Sequence, residues 1–231
     1  MNTSLQLAAI DPGSNSFQLE IGRAEDDHIY ILDSMRNNTR IAAGLTQDKM
    51  LSDDAQARGL EALGQFAQRL RGFDAKCVRV AKYASEFIGR AEQVLGFPIQ
   101  FIAGREEARL IFSDVAHSAP EPRLRQLVVD IGGGSTEFSV GLGLEPELME
   151  SLYMGSITYT MTHFPGGCID EYNLKQAELA AQRELQAIPN AIRARGWEMA
   201  IASSGTARSI ARMLHENKIG MSDARQVKFA L

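Results

Sequence analysis

A run of three glycines between two β-branched segments is the feature that most constrains this chain. It lies within VVDIGGGSTEFSVG, from Val128 to Gly141, where Asp130 precedes the glycines and Glu137 follows them. The apolar segments indicate two strands, and the glycines indicate the sharp turn between them. The N–H groups of such a turn form a concavity that suits phosphate oxygens. Asp130 stands at its mouth, where Mg²⁺ bridging to phosphate is expected, and Glu137 can reach the same pocket.

Two other interpretations of this stretch are open. It could be a glycine-rich hairpin that binds no ligand. A dinucleotide-binding fingerprint is less favoured, because that motif passes from a strand into a helix. Here Phe138-Ser139-Val140 resumes a strand after the turn.

Size and charge limit the class of protein. The 231 residues fit one large domain or two of about 115 residues each. Hydrophobic residues make up 45% and charged residues 23%, which is typical of a globular protein with a packed core. The net charge of −5 argues against a generally basic nucleic-acid binder, and no sequence-specific nucleic-acid partner is expected. Two cysteines, without a signal peptide or an apolar span, lead us to expect a cytoplasmic protein with no membrane partner.

The glycine stretch has a second copy near the start of the sequence. Four positions recur at a constant offset of 119 residues, and they are Asp11 with Asp130, Gly13 with Gly132, Ser16 with Ser135, and Gly22 with Gly141. Two Asp-x-Gly-x-x-Ser patterns in the same strand-turn-strand setting indicate an internal repeat. Each half then follows the order strand, strand, strand, helix, strand, helix. We place the domain boundary in the proline-bearing segment 118–123, which gives domains 1–118 and 119–231.

Apolar spacing predicts the remaining elements. Beyond the hairpin strands, the predicted strands are His28–Leu32, Cys77–Ala81, Ile99–Ile102, Pro146–Tyr153 and Met199–Ser203. One helix is opened by Ser52 and has Leu60, Leu63, Phe66 and Leu70 at helical spacing. The other predicted helices are Glu86–Leu95, Arg105–His117, a long helix capped by Asn173 and reaching Arg195, and Thr206–Leu214.

Two helix starts carry residues that could bind or react. Ser204-Gly205-Thr206 follows a strand and opens a helix, so its amides and hydroxyl could bind phosphate, although a simple N-cap is the alternative. Glu106 and Glu107 open another helix, where acidic residues are also favoured by the helix dipole alone.

Taken together, these motifs resemble those of the Ppx/GppA phosphatases, the exopolyphosphatases and guanosine pentaphosphate phosphohydrolases. That family lies within the superfamily of acetate and sugar kinases, Hsp70 and actin. The resemblance is carried, in the family's order, by AIDPGSNSF (9–17), GREEARLI (104–111), DIGGGSTE (130–137) and SSGT (203–206). It implies an α/β fold with two ribonuclease H-like, actin-like ATPase domains and a phosphate-binding cleft between them.

The resemblance also implies roles for individual residues. Glu107 corresponds to the general base that takes a proton from the attacking water, and Glu137 would help to hold that water or the metal. Mg²⁺ would be held by Asp11, Asp130 and Glu137. Terminal phosphates would be cradled by two turns and a helix start, which comprise Gly13, Ser14, Asn15, Ser16, Gly132, Gly133, Gly134, Ser135, Ser204, Gly205 and Thr206.

The implied activity is Mg²⁺-dependent release of orthophosphate from the end of inorganic polyphosphate. Hydrolysis of the 5′ γ-phosphate of guanosine pentaphosphate is a close alternative, and a non-catalytic polyphosphate- or nucleotide-binding module is another. An ATP-dependent kinase is disfavoured because it would not need the Glu107 helix. The oligomeric state is open, with a homodimer as one option.

Three departures from the family pattern bear on these alternatives. Pro12 replaces an aliphatic residue in the first turn. Val78–Phe87 is shorter than the family's segment and lacks its phosphate-contacting arginine. After Leu214 the sequence soon reaches Leu231, without the family's later elements of the second domain. The second and third departures keep the binding module among the alternatives.

Overall fold

The computed structural model describes residues 5–13, 15–25, 28–44, 46, 50–73, 76–79, 85–99, 103–119, 121, 123–186 and 188–219. The chain forms two compact units, Met1–Ile102 and Ala103–Leu231. Each unit combines one sheet with helices, so the protein is of the α/β type. Within the described ranges, no helix has the length and hydrophobicity that crossing a membrane requires.

The first unit is a four-stranded sheet with helices on one face. Its strands are β1 (Leu5–Pro12), β2 (Phe17–Glu25), β3 (His28–Asn37) and β4 (Lys76–Arg79), and its helices are α1 (Asp53–Leu70) and α2 (Ser85–Leu95). The strand order is β3-β2-β1-β4, with β4 parallel to β1 and the other neighbours antiparallel. Phe17, Leu19 and Ile21 of β2 are fully buried in a core that includes Phe66 of α1 and Phe87 of α2.

Helix α1 begins and packs as its sequence pattern predicts. Ser52 is the N-cap, and its side chain accepts a hydrogen bond from the backbone N–H of Ala55. Leu63, Phe66 and Leu70 are buried against the sheet. The predicted start and buried face of α1 are therefore confirmed.

The second unit repeats the topology of the first and adds helices. Its strands are β5 (Arg125–Ile131), β6 (Thr136–Leu142), β7 (Glu145–Leu152) and β8 (Met199–Ser203), and their order is β7-β6-β5-β8. Its helices are α3 (Gly104–Ser118), α4 (Ser156–His163), α5 (Glu171–Leu185), α6 (Pro189–Arg195) and α7 (Ser204–Glu216). Among the described strands of this unit, β8 alone runs parallel to its neighbour, as β4 does in the first unit.

The register of the strands confirms the repeat. Asp11 pairs with Gln18 in the first unit, and Asp130 pairs with Glu137 in the second, so the same offset applies to both partners. The pairing of the second strand with the third is irregular after Ile21 and, at the matching place, after Val140.

Two helices enclose the second sheet. On one face, Phe112 and Val115 of α3 pack with Val128 and Ile201. On the other face, Ile192 of α6 packs in a cluster with Leu127 and Val140. Neighbouring residues of one strand point to opposite faces, so Leu127 and Val128 lie in different layers.

Packing of α3 gives a domain boundary that differs from the predicted one. The sequence placed this helix in the first domain, with the boundary after residue 118. In the structure the division falls after Ile102, because α3 buries Phe112 and Val115 against the second sheet.

The prediction of one long helix between Asn173 and Arg195 is wrong. Asp170 is the N-cap of α5, and its carboxylate accepts a hydrogen bond from the backbone N–H of Asn173 at 2.7 Å. The helix ends at Leu185, and Pro189 begins α6 at a position where its missing N–H costs nothing. Helix α4 was not predicted.

The other predicted elements match the structure to within a few residues, apart from β3, which extends to Asn37. Residues 100–102 of the strand predicted over Ile99–Ile102 lie outside the described residues. The same holds for residues 80–84 of the shortened segment.

A glycine near the end of β6 is required by close packing. A Cβ atom at Gly141 would meet the carbonyl oxygen of Glu145 and would lie 2.6 Å from Cζ of Phe112. We therefore expect Gly141→Ala to lower the free energy of unfolding by about 1–3 kcal/mol in chemical denaturation. Gly89→Ala is the control, since a Cβ there meets nothing within 4 Å and α2 should gain up to about 1 kcal/mol. If both substitutions changed the free energy of unfolding by a similar amount, the close packing at Gly141 would be contradicted.

A second prediction concerns a carboxylate shared by two arginines. Glu147 of β7 pairs with Arg125 and with Arg195 at the end of α6, and the Arg125 hydrogen bond, reinforced by Arg195, lowers the pKa of Glu147. Its contribution to stability is present above the ordinary pKa of 4.5 and is lost as the pH falls through the lower folded value.

Glu147→Gln should therefore give a small drop in Tm at neutral pH that disappears as the solution is acidified below the ordinary pKa. Thermal unfolding across the pH range measures this difference. Glu145→Gln, on the same strand at an exposed position without an ion pair among the described residues, should show no such dependence. A Tm difference for Glu147→Gln that persists in acid would contradict the assignment.

Candidate active site

Three polar side chains form a row across the second sheet. Asp130 of β5 is opposite Glu137 of β6, and Glu137 is opposite Ser151 of β7. Directly opposed residues of antiparallel strands point to the same face. That face carries α3, because Val128 packs against this helix and Ser139 donates a hydrogen bond to the carbonyl of Ala108 at 2.9 Å.

Glu137 is the buried member of the row. Glu137 is only 3% exposed to solvent. The hydroxyl of Ser151 donates a hydrogen bond to its Oε1 atom at 2.8 Å. A buried carboxylate needs such donors to offset the loss of water, so Ser151 contributes to the placement of this group.

The first turn of α3 lies against Ser151. A Cβ at Gly104 would be 2.5 Å from both Cβ and Oγ of Ser151, so only glycine allows this approach. Glu107 lies in the same turn, and its Oε2 atom is buried. Glu106 differs, because it forms a 2.7 Å ion pair with Arg109. The hydrogen bond from Arg109 lowers the pKa of Glu106, which behaves as a surface acid.

The carbonyl groups of the glycine turn accept hydrogen bonds from the start of α4. The N–H of Ser156 donates to the carbonyl of Gly132 at 3.0 Å. The N–H groups of Ile157 and Thr158 donate to the carbonyl of Gly133 at 2.9 and 3.1 Å. The N-terminus of α4 is thus bound to the turn.

The amides of the turn are available on its other side. Gly155, just before α4, packs so closely that a Cβ there would lie 2.5 Å from the carbonyl carbon of Gly134. The N–H of Gly132 donates to the carbonyl of Ser135 at 2.9 Å and closes the turn. The N–H groups of Gly133 and Gly134 make no hydrogen bond within the described part of the chain. Such amides can bind an anion.

The start of α7 lies beside this turn. Ser203 pairs with Asp130 at the end of β8, and Ser204 donates through Oγ to the carbonyl of Ile131 at 2.7 Å. Ser204 has a φ of 87°, a strained value for a residue with a side chain. Thr206 contacts Ser156 through their hydroxyls at 3.4 Å. The N-cap residue, Ser203, makes no side-chain capping bond, and a Cβ at Gly205 would meet nothing within 4 Å.

The turn of the first unit has the same form. A Cβ at Gly13 would lie 2.9 Å from the carbonyl oxygen of Ser16, and at Gly132 it would lie 3.1 Å from that of Ser135. Asp11 is exposed, as is Asn15, whose carbonyl accepts a hydrogen bond from Arg40 at 2.8 Å. Ser14 lies outside the described residues.

Comparison with known proteins identifies the family of this chain. The family model of the Ppx/GppA phosphatases matches residues 21–229. A protein of Haemophilus influenzae named "Putative exopolyphosphatase" is 34% identical over 220 residues, which are 92% of this chain and 68% of that protein. The chain belongs to the Ppx/GppA phosphatase family. As a member of that family it is a hydrolase of phosphoanhydride bonds, as the resemblance implied.

Solved structures agree with this membership of the Ppx/GppA family. The Aquifex aeolicus PPX-GPPA enzyme is 25% identical with a TM-score of 0.71, over 95% of this chain and 74% of that one. An exopolyphosphatase from Cytophaga hutchinsonii has a TM-score of 0.80 at 23% identity, over 93% of this chain and 72% of that one, and shows the shared fold.

The structure of this Ppx/GppA family member brings together part of the predicted site. Within the second unit lie Glu107, Asp130, Glu137, Gly132, Gly133, Gly134, Ser135, Ser204, Gly205 and Thr206. Gly13, Asn15, Ser16 and Asp11 lie in the first unit. Of the residues that the structure describes, no three His, Cys, Asp or Glu side chains form a metal-binding group. Asp130 and Glu137 still fit Mg²⁺, which commonly takes one or two carboxylates together with waters and substrate phosphates.

Sequence reasoning missed several residues that hold neighbouring elements of the second unit together. Ser151 and Ser139 are ordinary strand serines, so nothing local marks them. Gly155 had a usable signal, because a glycine between a strand and a polar segment often marks a close backbone approach.

The contact between Gly155 and the glycine turn can be tested by hydrogen exchange. Gly155→Ala should push α4 away from the turn, because its Cβ would overlap the backbone of Gly133 and Gly134. If the overlap destabilises the contact between α4 and the turn by about 1–3 kcal/mol, hydrogen exchange of the amides of Ser156, Ile157 and Thr158 should become roughly tenfold to hundredfold faster. Gly64→Ala in α1 is the control, since its Cβ would lie 3.6 Å from Val94. Unchanged exchange in Gly155→Ala would contradict this arrangement.

Proposed function

We propose that the protein is a Mg²⁺-dependent exopolyphosphatase that releases orthophosphate from the ends of inorganic polyphosphate. The observation that carries the proposal is the glycine turn with two available amides, at the end of the strands that bear Asp130 and Glu137. The named activity of the Haemophilus influenzae relative supports the choice of polyphosphate.

Phosphate binding is assigned to main-chain groups. The amides of Gly133 and Gly134 would bind the terminal phosphate. The start of α7 offers Gly205 and Thr206 to a neighbouring phosphate, next to open space.

Magnesium is assigned to Asp130 and Glu137, which are opposite each other on β5 and β6. The ion would supply charge neutralisation at the phosphate oxygens. Ser135 and the turn amides would orient the phosphate beside it.

Glu107 is assigned as the general base. It would take a proton from water as the water oxygen forms a bond to the terminal phosphorus. The bridging P–O bond breaks, the shortened chain leaves with the bridging oxygen, and orthophosphate is released. The buried Oε2 atom of Glu107 supports this choice over Glu106, which is paired with Arg109.

The base is tested by the pair Glu107→Gln and Glu106→Gln. With Mg²⁺ and polyphosphate of defined length, Glu107→Gln should lower kcat by about 10²- to 10⁴-fold while substrate is still bound. Glu106→Gln is the control, and it should leave kcat within about twofold of wild type because Glu106 is a surface ion-pair partner. Orthophosphate release and a direct binding assay measure the two effects.

The same assay separates the alternatives. Guanosine pentaphosphate and ATP are tested beside polyphosphate, because all three end in a phosphoanhydride. A clear preference for guanosine pentaphosphate would replace the proposed substrate. Binding of polyphosphate without turnover of any of the three would make the chain a binding module. Full activity of Glu107→Gln would eliminate the assigned base.

A further inference from the structure

We infer that Ser151 is a positioning residue, which fixes the orientation of the Glu137 carboxylate and aligns it with the first turn of α3. The inference rests on the proposed function, since it gives Ser151 a task in the same reaction. It depends on two contacts of Ser151, one with each neighbour.

The first contact is directional. The Ser151 hydroxyl donates to Oε1 of Glu137 at 2.8 Å, on the strand opposite in register. A hydrogen bond to an ionised carboxylate is short and strong, and it favours one rotamer of the acceptor. The carboxylate of Glu137 is almost completely buried, so water is a poor substitute for this donor.

The second contact fixes Ser151 itself. Gly104 begins α3, and its backbone comes so close that even a methyl group there would overlap Cβ and Oγ of Ser151. The side chain of Ser151 is therefore held between the helix start and Glu137. Glu107 lies three residues after Gly104, so this one serine touches both the carboxylate and the turn that carries the base.

Another hydroxyl at the same helix–sheet interface provides a comparison. Ser139 is two residues along β6 from Glu137. It donates to the carbonyl of Ala108 and holds the second turn of α3 to the sheet. Its bond is to the backbone of α3, whereas the bond of Ser151 is to a carboxylate. Loss of Ser139 should affect stability, and loss of Ser151 should affect the orientation of Glu137.

The experiment compares Ser151→Ala, Ser151→Cys and Ser139→Ala in the full chain. With polyphosphate and Mg²⁺, Ser151→Ala should lower kcat by about tenfold or more and leave KM within about twofold. Ser151→Cys still fills the space against Gly104, with a slightly larger thiol, but donates weakly, so its kcat should stay near that of Ser151→Ala. Ser139→Ala should lower Tm and leave kcat within about twofold.

Wild-type kcat in Ser151→Cys would mean that the serine only fills space, and it would overturn the inference. A fall in kcat for Ser139→Ala that equals the fall for Ser151→Ala would also overturn it, because any loosening of α3 would then suffice.

Crystal structures of wild type and Ser151→Ala give a readout that does not depend on activity. The Glu137 carboxylate should rotate or occupy two conformers in the variant, while the backbone of β6 and β7 is unchanged. An identical single orientation in both proteins would overturn the inference. If the wild-type protein releases no orthophosphate from any substrate, the proposed function fails, and these structures still decide the role of Ser151.

Discussion

The bonds from the N-terminus of α4 to the carbonyls of Gly132 and Gly133 determine which way the glycine turn faces. A free helix N-terminus is itself an anion site, but in α4 the amides of Ser156, Ile157 and Thr158 are already used. The N-terminal amides of α4 therefore orient the glycine turn and are not available to bind an anion. Because the carbonyls are bound on one side, the amides of the glycines are available on the other. The proposed phosphate site therefore depends on α4, an element that the glycine motif itself does not encode.

The internal repeat makes the difference between the two turns informative. Both hairpins have the same register, yet the residue opposite the aspartate is Gln18 in the first and Glu137 in the second. Gln18 donates to Glu20 at an exposed position, whereas Glu137 is buried and bound by Ser151. Only the second of these two hairpins pairs an aspartate with a second carboxylate, which is the donor set that a divalent cation prefers. The register of the turn is thus the same in both copies, whereas the paired carboxylates of the proposed metal site occur in the second.

Much of the fold could be predicted because its signals are local. The glycine run between β-branched segments predicted the second hairpin, apolar patterning and the repeated Asp-x-Gly-x-x-Ser predicted the first, and Ser52 before an acidic first turn predicted α1. The failures depend on tertiary contacts. Phe112 could have packed on either sheet as far as its helix pattern shows, and only the fold places α3 on the second. The prediction took Asn173 as the cap, whereas in the structure Asp170, also a good cap residue, begins α5. In the candidate site, the motif residues carried local sequence signals, whereas Ser151, which donates to Glu137, carried none.

The position of α3 explains why the second unit differs from the first. In the first unit, the sheet face that bears Asp11 also bears Ala9 and Glu20, and all three are exposed. In the second unit, the corresponding face is covered by α3, which removes Glu137 from water. Burial penalises a carboxylate unless donors or a cation offset the penalty. The helix that imposes this penalty also contributes Gly104, which packs on the serine that donates to Glu137. The proposed base, Glu107, lies in the same first turn of α3 as Gly104. One helix therefore both removes Glu137 from water and carries a second carboxylate, that of Glu107.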